Sequence, residues 1–321
     1  MCDSNNTRRE FLRFSVGAGF ACWLPAGIQV ESRAAAAEAP GKAANRTTVY
    51  IMTDLEGVAG VIDSENWCKP ESRYYEQAKE FLTLEVNAAI EGLARGGATD
   101  FLVADGHGPG AINPKLLDHR AQFARNWAPV PYPFSLEKGM QFAAWIGQHA
   151  KSRTEMAHLA HTGSMGVFET TINGLAVGEF GEMVFCASQL GVRSIFGAGD
   201  LAFAKEAQAL LRGIETVAVK RGTTPGRGDE CDAETYAKRN LAAIHCQPDR
   251  ACEMIRAGAE RAIRRAKTDT GFGIVPLKPP FERVTILRKT ADKPRRIGRS
   301  SHPEDVIALL NAPLNYETLT D

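Results

Sequence analysis

Asp54 and Glu56 stand two residues apart at the end of an apolar run, Thr48-Val-Tyr-Ile-Met-Thr53, and just before Gly57. Side chains two apart on a strand share a face, so both carboxylates aim together beyond the strand's carboxyl end. At that separation they repel each other unless a cation, a shared proton or water stands between them. Alone, an Asp-x-Glu pair also describes a solvated acidic turn. Asp105 and His107 close a second apolar run, His149 closes a third that begins at Phe142, and His161 follows a dozen residues later. Glu179 opens a helical segment behind Asn173-Gly174, a strong hairpin signal. Adjacent parallel strands end at one edge, where open α/β sheets bind ligands. Asp54, Glu56, His107, His149, His161 and Glu179 are therefore expected in one neighbourhood.

A mixed oxygen and nitrogen donor set suits zinc or another first-row divalent ion, whereas calcium takes oxygen alone. The chain has no His-Glu-x-x-His sequence, which excludes that zinc-protease arrangement. One catalytic zinc needs three protein ligands and an open position, so a larger donor set points to two metals sharing a carboxylate. Such a pair activates water and polarises a scissile carbonyl.

The elements that must position these residues alternate. A strand from Thr48 is followed by an irregular loop over 58–70, and the apolar spacing of Tyr75, Ala78, Leu82, Val86, Ala89 and Leu93 predicts a helix over 71–95, stopped by Gly96-Gly97. Strands at 100–107 and 142–149, the hairpin at 170–179, a helix at 180–190, a strand at 192–198, a helix at 201–211 and a strand at 215–219 follow. Residues 128–133 are a proline-rich loop, and Gly197-Ala-Gly-Asp200 reads as a tight turn rather than a dinucleotide fingerprint. Beyond that point, helices are expected over 233–245 and 248–267, a last strand over 283–288, and a final helix over 301–310 capped by Ser301. Arg256, Arg261, Arg264 and Arg265 form a solvated face, and His119, His158, His245 and His302 are surface or structural. The fold class is α/β: a three-layer α/β/α arrangement about a mostly parallel sheet, with a smaller α+β portion. Residues 47–220 form the metal-binding core, and 221–321 a mixed part packed on it.

Residues 1–46 are a different kind of sequence. Arg8-Arg9 precedes Phe11-Leu12, a weak apolar run to Leu24, and the alanine-rich stretch Ala34 to Ala39, the order of a twin-arginine export signal with a cleavage zone and linker. A periplasmic or otherwise exported location and passage through the twin-arginine machinery follow as expectations. Acidic and basic residues balance at 38 each, so nothing points to a nucleic-acid partner. Five of the seven cysteines lie beyond the signal, without Cys-x-x-Cys spacing, which leaves small core residues and at most one bridge among Cys231, Cys246 and Cys252.

Five stretches, Met52-Thr-Asp54-Leu-Glu56-Gly57, Ala104-Asp-Gly-His107, Ile146-Gly-Gln-His149-Ala-Lys151, Leu159-Ala-His161-Thr and Asn173-Gly-Leu-Ala-Val-Gly-Glu179, resemble in order and spacing the D-aminopeptidases of peptidase family M55, the DppA type. The resemblance implies two zinc ions per subunit held by Asp54, Glu56, His107, His149 and Glu179, with Asp54 as bridge and His161 as a catalytic histidine that is not a ligand. It also implies release of N-terminal D-amino acids from short peptides, and a homo-oligomer. The alternatives are a metal-dependent hydrolase of another amide or ester, and a non-catalytic periplasmic peptide-binding protein.

Overall fold

The computed structural model describes residues 46–125, 127 and 131–320. The export signal read over 1–46 lies outside the described residues apart from Arg46, as do residues 128–130 of the proline-rich loop.

In chain order the strands are β1 (Thr48–Thr53), β2 (Asp100–Asp105), β3 (Ala121–Ala124), β4 (Phe142–Gln148), β5 (Val167–Ile172), β6 (Leu175–Val177), β7 (Arg193–Asp200), β8 (Glu215–Gly222), β9 (Ala243–His245), β10 (Phe281–Leu287), β11 (Arg296–His302) and β12 (Asn315–Thr318). The helices are α1 (Ser64–Trp67), α2 (Tyr75–Arg95), α3 (Glu179–Leu190), α4 (Leu201–Leu210), α5 (Ala233–Arg239), α6 (Pro248–Thr268) and α7 (Val306–Asn311). A main sheet runs in the order β3-β2-β1-β4-β7-β8-β9, parallel throughout except for β9. Strand β1 is buried along both faces from Val49 onward, as a central parallel strand must be.

Helices α2 and α6 cover one face of this sheet, and α3 and α4 the other. The apolar stripe of α2 buries Ala78, Leu82, Val86, Ala89 and Leu93, spaced three or four apart. Against it α6 presents Ala251, Ile255, Ala259, Ala262 and Ile263, while Arg261 and Arg264 point to solvent. The two helices touch at Gly92, where an added Cβ would lie 2.1 Å from the Arg256 carbonyl oxygen. Among the described residues no helix is long and apolar enough to cross a membrane.

A second, antiparallel sheet runs β12-β11-β10-β5-β6, so its strands come from both 167–177 and 281–318. The β5–β6 hairpin turns at Asn173 and Gly174, both at positive φ, as the Asn-Gly pair predicts.

Several local expectations are corrected. Helix α2 starts at Tyr75, and the preceding loop holds the short helix α1. The expected helix over 233–245 stops at Arg239, and 243–245 pairs antiparallel with β8. Strand β10 is not the last, since β11 and β12 follow; Ser301 lies in β11, and α7 is capped by Asp305, which accepts from Ala308 N at 2.9 Å. Strand β3 is too short to announce itself, four residues on a half-exposed edge. The Gly197–Asp200 segment is the end of β7 rather than a turn: a Cβ on Gly199 would fall 1.9 Å from the Gln148 carbonyl oxygen. All five cysteines beyond the signal are free.

Candidate metal centre

The chain runs from β1 through α2 to β2 on one side, whereas β4 pairs with β1 on the other, so a crevice opens beyond the carboxyl end of β1. Asp54 and Glu56 follow β1 directly. Asp54 N donates to Ile146 O at 2.9 Å and Gly57 N to Gly147 O at 2.7 Å, which ties this segment to the end of β4. The approach is possible only without side chains: a Cβ on Gly57 would lie 2.1 Å from Gln148 O, and one on Gly147, at φ +76°, 1.9 Å from Asp54 O. Two glycines thus set His149 against the acidic pair.

The loop that carries His107 is built by Asp105, which accepts from Ala111 N at 2.9 Å and Ile112 N at 3.2 Å and so is occupied. Arg125 braces the same loop by donating to the carbonyls of Asp105 and His107 at 2.6 and 2.8 Å. Glu179 enters from the first turn of α3 and accepts from Gly163 N at 2.6 Å.

All three histidines are oriented alike. His107 Nε2 lies 2.8 Å from Cys68 O, His149 Nδ1 2.9 Å from Ala150 O, and His161 Nδ1 2.9 Å from Leu159 O. A carbonyl oxygen only accepts, so each of these nitrogens carries the proton. The opposite nitrogens face acids: His107 Nδ1 is 3.3 Å from Asp54 Oδ1 and 3.2 Å from Glu56 Oε2, His149 Nε2 is 3.1 Å from Asp54 Oδ2, and His161 Nε2 is 3.6 Å from Glu179 Oε1. In a neutral ring that nitrogen presents a lone pair to a carboxylate, which is repulsive unless a cation lies between. Fixing one ring nitrogen on a backbone acceptor is how proteins orient metal-binding histidines.

The electrostatics have the same sign. Burial pushes the Glu56 carboxyl up, but His107, His161 and His149 outweigh it and hold it well below the usual carboxylate range. Burial likewise raises Glu179, and His149 and His161 bring it down to about 2. Burial lowers the His107 and His149 imidazoles, yet the carboxylates raise His107 to about 11 and His149 well above its ordinary value. The cluster holds protons tightly, and a divalent cation that displaced them would meet the same field.

Asp54 Oδ2, Glu56 Oε2 and His149 Nε2 are buried without a hydrogen bond of acceptable geometry, although His149 Nε2 and Asp54 Oδ2 are close. Such orphaned acceptors are costly unless a cation binds them, so the donor set fits a metal. Two overlapping groups have their donor atoms within 4.8 Å of one another: Asp54, Glu56 and His149, and His149, His161 and Glu179. His161 thus stands among possible donors, stacked on His149 with ring centroids 3.9 Å apart.

Asp54, Glu56, His107, His161 and Glu179 line a cavity of about 320 Å³ walled on its apolar side by Met52, Phe134, Trp145 and Met183. Sequence reading missed Glu182 and Tyr132, which also face it, and the Cys68 carbonyl that orients His107. An acid three residues after Glu179 on a helix was a readable signal, because i and i+3 share a face. A backbone carbonyl has none.

Comparisons with known proteins span the segment that carries these residues. The family model for D-aminopeptidases, Peptidase M55, matches residues 48–293. A D-aminopeptidase of Bacillus subtilis (strain 168) is 30% identical over 177 residues, which are 54% of this chain and 63% of that protein. The chain therefore aligns with less than two thirds of that relative's length. Among solved structures, the Zn-dependent D-aminopeptidase DppA from Bacillus subtilis, described as a self-compartmentalizing protease, superposes with a TM-score of 0.67 at 22% identity, covering 82% of this chain and 94% of that one. At that identity the likeness establishes the fold.

Proposed function

The chain belongs to the D-aminopeptidase family, peptidase M55, and on that premise we propose that it is a zinc-dependent aminopeptidase that removes N-terminal D-amino acids from short peptides. The observation that carries the reading is the set of three histidines, each pinned through one nitrogen to a backbone carbonyl and aimed through the other at a carboxylate.

Asp54, Glu56, His107, His149 and Glu179 would hold two zinc ions, with Asp54 the bridging carboxylate because its two oxygens face different histidines. Bound zinc would supply Lewis acidity toward a carbonyl and lower the pKa of an attacking water. His161 is assigned the proton-transfer role: its Nδ1 is committed to Leu159 O, its Nε2 is free to exchange a proton, and it is more accessible than His149. Met52, Phe134, Trp145 and Met183 exclude water from one side, which strengthens charge interactions within the cavity. An exported location, through the segment before Thr47, and assembly into a homo-oligomer belong to the same proposal; the neighbouring structure is described as self-compartmentalizing.

Elemental analysis of the purified protein should find about two zinc per chain, with D-Ala-D-Ala hydrolysed and L-Ala-L-Ala spared. His161→Ala should keep the metal and lose about 10²-fold or more in kcat. Metal loss in that variant would make His161 a ligand, and a metal-free wild type that binds peptides without turnover would sink the enzyme reading.

A further inference from the structure

Glu182 is the acid in the cavity that the metal set leaves unused. It lies three residues beyond Glu179 on α3, so the two carboxylates share a helix face with Cβ atoms about 5–6 Å apart. It is only 7% exposed, and what remains accessible opens into the cavity. Tyr132 donates to its Oε2 at 2.6 Å. The cation acting on it through space, Arg283, is already committed to the carbonyls of Leu310 and Ala312 and to Ser300 Oγ. Burial pushes the Glu182 carboxyl up to about 7, the expected behaviour of an acid without a counter-ion. In the same wall Trp145 Nε1 is a buried donor without a partner. The cavity therefore offers an uncompensated acceptor and an unused donor beside the metal donors, next to the apolar surface of Met52 and Met183.

We propose that Glu182 accepts the ammonium group of the substrate's N-terminal residue and so determines specificity at this site. The inference rests on the aminopeptidase reading above. In a peptide the α-ammonium is two bonds from the scissile carbonyl carbon. A carboxylate one helical turn from Glu179 is spaced to hold that amine while the carbonyl faces the metal donors. A side-chain ammonium on the same residue has the same chemistry and reaches further along the apolar wall.

Glu182→Gln keeps size and removes the charge. For D-Ala-D-Ala its KM should rise by at least about tenfold with kcat little changed and zinc content intact. A rise for both D-Ala-D-Ala and D-Lys-D-Ala places the bound ammonium at the α-carbon, and a rise for D-Lys-D-Ala alone places it on the side chain. Glu182→Asp, still anionic, should recover part of the loss, and Tyr132→Phe should keep the preference. Unchanged KM for both substrates would overturn the assignment, as would equal rises in Glu182→Gln and Glu182→Asp. Calorimetry with D-alaninol and 1-propanol, on protein as purified and after zinc loading, reads the ammonium preference without turnover. A preference for D-alaninol that disappears in Glu182→Gln supports the proposal even if no peptide is cleaved, and equal binding of the two alcohols by wild type overturns it.

Discussion

Two sets of buried and half-buried ionisable side chains meet the chain between Asp54 and Ile62, and they use their polar atoms in opposite ways. In the first, Asp54, Glu56, His107, His149 and Glu179 aim ring nitrogens and carboxylate oxygens at one another and leave Asp54 Oδ2, Glu56 Oε2 and His149 Nε2 without a hydrogen bond of acceptable geometry. In the second, four side chains hold four successive residues: Glu85 accepts from Ala59 N at 2.9 Å, His245 Nδ1 from Gly60 N at 3.1 Å, Lys220 Nζ donates to Val61 O at 3.2 Å, and His158 Nε2 to Ile62 O at 2.8 Å. The second set carries its own cation, Lys220, among the acids Glu85 and Asp200. It too has unpaired atoms, on Glu85, His158 and Asp200, but no group of its donors gathers as a metal site among the described residues. A density of titratable groups therefore does not mark a functional site. Carboxylates and ring nitrogens converging on a cavity do, and the neighbouring clamp holds the residues that follow Glu56.

The contrast is tested most severely by His149→Ala, which removes a donor common to both metal groups. Its zinc affinity should fall by more than the about 100-fold that loss of an outer hydrogen-bond partner can cost, read by competition with a chromophoric chelator; retained affinity would break the comparison. Lys220→Met should do the reverse. It leaves the Val61 carbonyl unsatisfied and should cost about 1–3 kcal/mol of stability in urea unfolding, with zinc stoichiometry preserved. Zinc loss without loss of stability would mean that the clamp belongs to the site.

The smallest effect concerns pH. Burial, helped by Lys220, lowers the His158 imidazole to about 2. The unfolded chain takes up that proton near pH 6.5, the folded protein not until far lower, so the stability contribution is complete above about 6.5 and is lost as pH falls. Compared with His158→Gln, wild type should lose up to about 1.4 kcal/mol more per pH unit between about pH 6 and 5. Parallel stability curves for the two proteins would show that His158 is protonated in the fold.

Much of the first set was legible because its residues end strands or open a helix. Apolar runs closing on Asp54, His107 and His149, and a hairpin signal before Glu179, placed four donors at one sheet edge without any knowledge of contacts. The second set was not legible. Glu85 sits inside an otherwise ordinary amphipathic helix, Lys220 lies two residues before the end of β8, and His158 and His245 gave no pattern beyond a surface or structural expectation. Their roles come from backbone groups of Ala59 to Ile62, which carry no side-chain signature. The β11–β12 end of the second sheet escaped for a related reason: Arg-Ile-Gly-Arg-Ser-Ser-His has little apolar alternation, and its pairing with β10 supplies what propensity lacks.

By itself the sequence determined the alternation of elements, the edge at which the acids and histidines gather, and a donor chemistry suited to a first-row metal. Periodicity and strand polarity are local properties, readable wherever burial imposes them. Only the tertiary structure decided which nitrogen of each histidine faces the carboxylates, that Gly57 and Gly147 let β1 and β4 close to backbone contact, and that Glu182 stands uncompensated in the same cavity. Those outcomes depend on carbonyls and close approaches contributed by residues far apart in the chain, and local sequence patterns do not encode them.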